Sequence, residues 1–456
     1  MYDQQGLEQG GVSSSDCYKL YNDEILTLTN QSGLGVALDS SEDLKIAAVG
    51  QADDTALISN NLLKLHLLLY LVLEYCKKYN VQLSSSKTKL LQISPPGKSS
   101  FNPYNPIMIK DKNIEFVNQA EHVGIIRSVE GNMPHILTRI SSFKKALGFL
   151  SSCGLAKGHR INPVVSLRIL TLYGTPLLMS GLGSLFLSTK ETGLIDQQYK
   201  RTLQNILKLP VASPSALVHF VAGSLPATAI IHLRQLTLFA MVCMLKGDPL
   251  QHHAVKVLLT LPATAKSWFI QVRNLHLQYG LPHPLELLRS PPQKESFKKL
   301  VKSKVLDYWE QKLRAEASLL PSLVYFNPHF HSLSTPHKLW TTAGYNMHEV
   351  TKAKVQLLFL SSQYPCGKCV RHWSPDNPGG LCYFTPCRQA EIVESPEHLL
   401  LQCPAYTYTR NRLIYLGLRA ERTETHNLFA KFLLSPTRDL MQLLLDPSSI
   451  PEVIRL

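Results

Sequence analysis

Val49-Gly50-Gln51-Ala52-Asp53-Asp54-Thr55-Ala56-Leu57-Ile58-Ser59 is the stretch whose reading decides the fold. Just before it, Leu44, Ile46 and Ala48 alternate with Lys45 and Ala47 in the period-two manner of a half-buried strand. Within it, Thr55-Ala56-Leu57-Ile58 is again a short apolar run. The pattern predicts a β-hairpin with the Asp53-Asp54 pair at its tip. Adjacent carboxylates on a tight turn repel each other at neutral pH, and divalent cations offset that cost by bridging them to phosphate oxygens. The bare dipeptide also suits an ordinary solvated turn, because Asp hydrogen-bonds its own backbone there. What surrounds the turn has to decide.

Upstream lie Gln5-Gly6-Leu7-Glu8-Gln9-Gly10-Gly11-Val12-Ser13-Ser14-Ser15 and a helical stretch, Asp16 to Thr29, with Ser14 or Ser15 at its cap. Downstream, Asn60 or Asn61 caps an apolar helix, Leu62–Leu73, that ends in Glu74, Lys77 and Lys78. Being apolar nearly all round, this helix is expected to be buried on most sides beneath the sheet carrying Asp53 and Asp54. Ser86-Lys87-Thr88-Lys89 follows, then a strand at Leu90–Ile93 closed by Pro95-Pro96-Gly97. Ile107–Ile109, Ile114–Val117 and Val123–Arg127 predict further strands in hairpins, ending near Asn132.

This order of motifs resembles the reverse transcriptases of non-LTR (LINE-type) retrotransposons. The resemblance covers the first third of the chain and returns near its end. It implies an α+β chain: a partial palm (antiparallel sheet with helices) over residues 1–132, a helical thumb and connector over 133–290, a basic helical segment and linker over 291–350, and a zinc-knuckle region with C-terminal helices over 351–456. It further implies that Gln9, Gly10 and Ser14 support template and nucleotide, that Asp53 and Asp54 bind Mg²⁺, that Lys87 acts near the pyrophosphate, and that Phe116–Ser128 grips the primer end. RNA template and DNA primer would be the partners, with an intracellular location in cytoplasm and nucleus. Two departures stand out. Gln51 occupies the place where the family usually carries an aromatic residue, and the family's other metal-binding aspartate lies upstream of the Gln-Gly loop, which here begins within a few residues of Met1. The fingers and the first catalytic carboxylate are therefore expected to be missing, and the chain inactive by itself. The alternatives are a non-enzymatic nucleic-acid-binding remnant and a helical interaction protein.

With 456 residues, 45% hydrophobic and 18% charged, the chain can bury two or three domains' worth of core and is no disordered tail. Its net charge of +14 is uneven: through Asn132 there are 11 Lys and Arg against 15 Asp and Glu, and beyond it 36 against 18. A basic body beside a carboxylate-bearing turn suits a nucleic-acid backbone, although solubility alone also accounts for net positive charge. From His135 onward the spacing is helical. Lys144, Lys145 and Arg160 lie there on what the resemblance makes the thumb, or on a merely solvated face. Lys294–Arg314 predicts a basic helix in which Lys298, Lys299, Lys302 and Lys304 form a wet face and Trp309 belongs to the core, rather than a nucleic-acid contact. Pro282–Pro292 and Asn327–His337 read as linkers. Ile169–Thr189 is uncharged and long enough to span a membrane, but its Gly174-Thr175-Pro176 predicts two buried helices broken there, and no membrane is expected.

Nine cysteines, five of them between Cys366 and Cys403, suit a metal site in a reducing compartment better than a disulfide framework. Cys382, Cys387, His398 and Cys403 form a Cys-x4-Cys-x10-His-x4-Cys pattern of soft donors fit for tetrahedral zinc. Cys366-Gly367-Lys368-Cys369 offers an alternative pair, so six donors compete for four places. The family carries a similar knuckle after its polymerase, which favours the later set. Between Trp373 and Glu397, Pro and Gly are too frequent for long helices or central strands.

Overall fold

A computed structural model describes residues 14–38, 45–51, 54–93, 107–109, 112–152, 161–245, 249–371, 374–418 and 436–446. The described chain is mostly helical, with five two-stranded sheets, which is compatible with α+β. It divides into two compact units, one of Met1–Thr138, Ser180–Leu187 and Gln235–Phe297, the other of Arg139–Met179, Ser188–Arg234 and Lys298–Leu456.

In the first unit α1 spans Ser14–Gln31 and α2 Leu62–Lys78, with β1 (Val36–Ala37), β2 (Lys45–Ile46), β3 (Ala48–Gln51) and β4 (Asp54–Leu57) between them. The alternating stretch upstream of the Asp-Asp pair is not one strand: Lys45–Ile46 pairs with β1, Ala47 and Ala48 are buried in succession, and of that stretch Ala48 alone belongs to β3. The expected hairpin is made by β3 and β4, which pair antiparallel, Ala48 opposite Leu57 and Gln51 opposite Asp54. Two features seat α1 on β3. Asn30 donates to the Ala48 carbonyl and accepts from the Ala47 and Ala48 amides. Gly50 leaves room for Leu26, whose methyl a Cβ there would meet at 3.1 Å. Behind the hairpin Ile25, Val72, Tyr75 and Cys76 form one apolar cluster and Leu69, Ile107 and Ile109 another, and Leu57 packs against both.

Asn61 caps α2, its side chain accepting from the Leu63 amide at 2.8 Å. The expectation that α2 is buried on most sides needs correction. Leu63, Leu67, Tyr70 and Leu71 are exposed along one stripe, since the small sheet covers a single face of the helix.

After α2, β5 (Lys89–Leu91) pairs in parallel with β8 (Glu115–Val117), and β6 (Met108–Ile109) pairs antiparallel with β7 (Lys112–Asn113). β9 (Gln119–His122) and β10 (Ile125–Ser128) form a second hairpin. The strand expected from Val123 starts two residues later, because Val123 and Gly124 both take positive φ, +51° and +72°, and make the turn. His135 holds this hairpin: its Nδ1 accepts from the Ile126 amide, which leaves Nε2–H to donate to the Ser180 carbonyl at 3.0 Å.

α3, Met133–Ser152, opens the helical remainder. The apolar stretch expected to break at Gly174-Thr175-Pro176 does not break there. α4 (Pro163–Ile169), a π turn (Leu170–Gly174) and α5 (Thr175–Met179) run on as one helix, Pro163–Met179. The Thr175 amide reaches back five residues to Leu170, a wider turn placed just ahead of Pro176, which has no amide hydrogen to donate. Gly181, at φ +75°, then ends the run. Among the described residues no single helix is long and apolar enough to cross a membrane.

α6 (Thr189–Leu207) starts in a capping box of Ser188 and Glu191. α7 (Ser215–Ala222), α8 (Ala227–Cys243), α9 (Pro249–Thr260) and α10 (Trp268–Gln278) follow. Pro282–Pro292 is no linker. It contains α11 (Pro284–Arg289), started by proline at its first turn and capped by the His283 ring, with Leu287 and Leu288 buried. In α12 (Lys294–Ser318) Val301, Val305, Trp309 and Leu313 form the buried stripe, while Lys298, Lys299, Lys302 and Lys304 are exposed. Asn327–His337 is likewise packed rather than loose, with His331, Leu333 and His337 buried. α13 (Lys338–Ala343) and α14 (Met347–Leu360) lead into the cysteine-rich region.

Candidate metal centre

The segment after α14 has little regular structure of its own: α15 (Gly367–Val370), α16 (Thr385–Gln389) and one isolated bridge between Leu381 and Val393. Its turns are set residue by residue. Asn377, buried, accepts from the Leu381 amide at 2.8 Å and donates to the Leu381 carbonyl at 2.7 Å, closing the turn through Pro378-Gly379-Gly380. Gly380, at φ +62°, lies so close to Gly367 that a Cβ would meet the Gly367 carbonyl oxygen at 2.6 Å. Cys382 then donates its amide to Ile392 at 2.9 Å, and Ile392 returns one to Cys387 at 3.0 Å, so the first two thiols face each other across a small loop. His398 begins a π turn, His398–Gln402, which the Cys403 amide closes on the His398 carbonyl at 2.6 Å.

These turns bring Cys382, Cys387, His398 and Cys403 together, one donor atom from each lying within 4.8 Å of the others. The Cys403 sulfur is 3.8 Å from that of Cys382 and 4.0 Å from that of Cys387. Four thiolates at the usual zinc–sulfur distance of about 2.3 Å would lie about 3.8 Å apart at the corners of a tetrahedron. His398 Nε2 is buried without a hydrogen-bond partner, a costly state for an imidazole nitrogen unless it is a ligand. All four residues are buried, and burial pushes the Cys382 thiol up to about 11 and the Cys387 thiol upward too. A dication inverts that preference by stabilising thiolates. The donor set therefore fits a metal ion such as zinc. Cys366 and Cys369 stand apart as a pair, sulfur to sulfur 3.4 Å.

A second cluster gave no signal in the sequence: His331, His337 and Asp446, each buried, from two distant stretches of chain. Nothing local ties residue 446 to a His/Pro/Ser stretch a hundred positions earlier. His331 Nε2 is 2.8 Å and His337 Nε2 3.5 Å from the two Asp446 oxygens. Burial works to raise the Asp446 pKa, but the hydrogen bond with His331 and the nearby His337 imidazole outweigh it and hold the carboxyl well below the usual carboxylate range. His337 Nδ1 accepts from the Leu339 amide, so the neutral ring keeps its proton on Nε2, the atom a metal would need. His337 Nε2 is buried without a hydrogen-bond partner, as His398 Nε2 is, and the hydrogen bond of this cluster runs between His331 and Asp446. It fastens the end of the helix Thr437–Leu445 to the loop that carries the two histidines.

The chain matches no known protein family, no curated protein and no solved structure.

Gln9, Gly10, Asp53 and Arg160 lie outside the described residues. Ser14 is the first residue of α1. Asp54 opens β4, exposed, and is in neither metal-ligating cluster found among the described residues. Lys87 is exposed on a turn whose amide donates to Ser84, and Lys144 and Lys145 are exposed on α3.

Proposed function

We propose that the chain is the palm-to-knuckle part of a non-LTR retrotransposon reverse transcriptase, an RNA-directed DNA polymerase working on an RNA template and a DNA primer inside the cell. The observation that carries this reading is the β3–β4 register. Pairing Gln51 with Asp54 puts Asp54 at the start of the second strand of an antiparallel pair. A second hairpin and a Cys₃His cluster follow in the order that the sequence resemblance implies. Asp53 and Asp54 would hold Mg²⁺, which when bound activates the primer hydroxyl and steadies the leaving pyrophosphate. Lys87 would sit near that pyrophosphate, and the exposed Lys144 and Lys145 would follow the duplex backbone. Cys382, Cys387, His398 and Cys403 would hold one structural zinc.

A second reading, a nucleic-acid-binding protein without polymerase activity, is favoured by one specific observation. Asp54 has no cluster of further metal-ligating side chains around it among the described residues, whereas a two-metal site needs carboxylates from more than one strand. Both readings are tested by titrating the chain against an RNA–DNA primer-template at several salt concentrations, with primer extension run in parallel. Binding should weaken steeply with salt, as release of counterions from phosphates requires. The chain alone should add no nucleotides with Mg²⁺ or Mn²⁺. Incorporation that disappears in Asp53→Ala would make it a polymerase outright; salt-independent binding, or none at low salt, would leave the helical interaction protein.

A further inference from the structure

We propose that Cys366 and Cys369 are a redox-active dithiol, a modification site at which a small-molecule disulfide such as oxidised glutathione installs a reversible intramolecular disulfide while the neighbouring metal centre stays intact. The inference rests on the metal being held by Cys382, Cys387, His398 and Cys403.

The two sulfurs already touch, Cys366 Sγ donating to Cys369 Sγ at 3.4 Å. A tight turn fixes their spacing: the Cys369 and Val370 amides both donate to the Cys366 carbonyl, at 2.8 and 3.0 Å. Closing the bridge needs the sulfurs to approach to about 2.05 Å, a movement that side-chain rotation within such a turn supplies. Their environments differ in the way a stepwise exchange requires. Cys369 is half-buried, so a dissolved disulfide can reach it, while Cys366 is fully buried and cannot be attacked from solvent. Burial pushes the Cys366 thiol up to about 11, which leaves Cys369 as the first nucleophile. Neither belongs to a metal-ligating cluster of three or more donors among the described residues.

The chemistry proceeds in two exchanges. The Cys369 thiolate attacks one sulfur of oxidised glutathione and expels a glutathione thiolate, leaving a mixed disulfide at Cys369. Cys366 then attacks the Cys369 sulfur and expels the second glutathione, its proton passing to the departing glutathione thiolate. Two protein thiols are oxidised to one disulfide and one glutathione disulfide is reduced to two thiols, so electrons balance without any further oxidant.

The turn also abuts the metal loop. Gly367 lies against Gly380, where a Cβ would meet the Gly380 carbonyl oxygen at 2.4 Å, and the Gly367 and Lys368 amides donate to Glu394. The dithiol is therefore held in place by the folded knuckle.

The test uses the zinc-loaded full chain, equilibrated across a series of oxidised-to-reduced glutathione ratios and quenched with iodoacetamide. It is digested with a protease that spares Lys368 and read by peptide mass, with zinc content measured at each point. The expected result is a Cys366–Cys369 bridge that accumulates with the ratio and reverses on reduction, at unchanged zinc content. Cys369→Ser should give neither bridge nor adduct at Cys366. Cys366→Ser should stop at a glutathione adduct on Cys369. The proposal is overturned if both sulfurs remain alkylatable at every ratio while the exposed Cys17 acquires glutathione. It is also overturned if zinc protects Cys366 and Cys369 from alkylation in the reduced protein, which would make them ligands. A bridge that forms in protein containing no zinc upholds the dithiol and removes the zinc centre instead.

Discussion

Replacing Cys382 or Cys387 by serine should strip the metal from the cysteine-rich region and unfold it locally. Structural zinc contributes on the order of 10–16 kcal/mol in zinc-finger peptides, so one ligand in four accounts for roughly 3 kcal/mol, or a loss of affinity of about a hundredfold. The architecture gives the segment little with which to absorb that loss. Among the described residues between α14 and Cys403 there are one isolated bridge and helices of four and five residues, and the sulfurs of Cys382, Cys387 and Cys403 form the buried cluster at its centre. Each serine would also leave a hydroxyl where burial excludes water. Zinc retention during competition with a graded chelator series, together with limited proteolysis of the region between 374 and 406, measures both consequences. Cys382→Ser and Cys387→Ser should release zinc at about a hundredfold lower chelator strength and be cleaved rapidly. Cys366→Ser and Cys369→Ser should match the parent protein in both assays. Zinc loss confined to the latter pair, or a protected segment in protein that binds no metal, would refute the reasoning.

Three further outcomes are expected. Val123→Asn should stabilise the first unit by about 1 kcal/mol, seen as a higher urea midpoint with unchanged slope, because a β-branched residue is strained at φ +51° and Asn-Gly suits this turn; a lower midpoint would show that the valine side chain contributes more than its backbone costs. His219, His232 and His276 are each lowered to about 4 by burial. The folded state thus binds fewer protons than the unfolded one, and their contribution, on the order of 3 kcal/mol apiece, is present above about pH 6.5 and lost as pH falls towards 4. Unfolding free energies that stay flat from pH 7 to 4.5 would contradict this. Gly50→Val should destabilise the β3–β4 hairpin, since the added side chain must displace Leu26, and amide exchange at Ala48 and Val49 should quicken while that of α10 does not.

The sequence by itself determined what depends on neighbours along the chain. The short apolar run Thr55–Ile58 marked the second strand of the hairpin, Asn61 the start of α2, and proline and glycine between Trp373 and Glu397 the lack of long elements, because pleat, cap and turn chemistry act over a few residues; the alternation over Leu44–Ala48 did not mark the first strand, since Lys45–Ile46 pairs with β1 instead. It also supplied six soft donors near one another, but their chemistry is the same whichever four converge. That choice was made by tertiary structure: the close approach of Gly367 and Gly380 and the Cys382–Ile392 and Ile392–Cys387 hydrogen bonds turn three thiols towards His398 and leave Cys366 and Cys369 as a pair. The same holds for Pro282–Pro292 and Asn327–His337. Their composition reads as linker, yet Leu287, Leu288, His331 and His337 are buried, since burial depends on what distant chain supplies as a partner. For His331 and His337 that partner is Asp446, more than a hundred residues away, and local sequence carries no record of it.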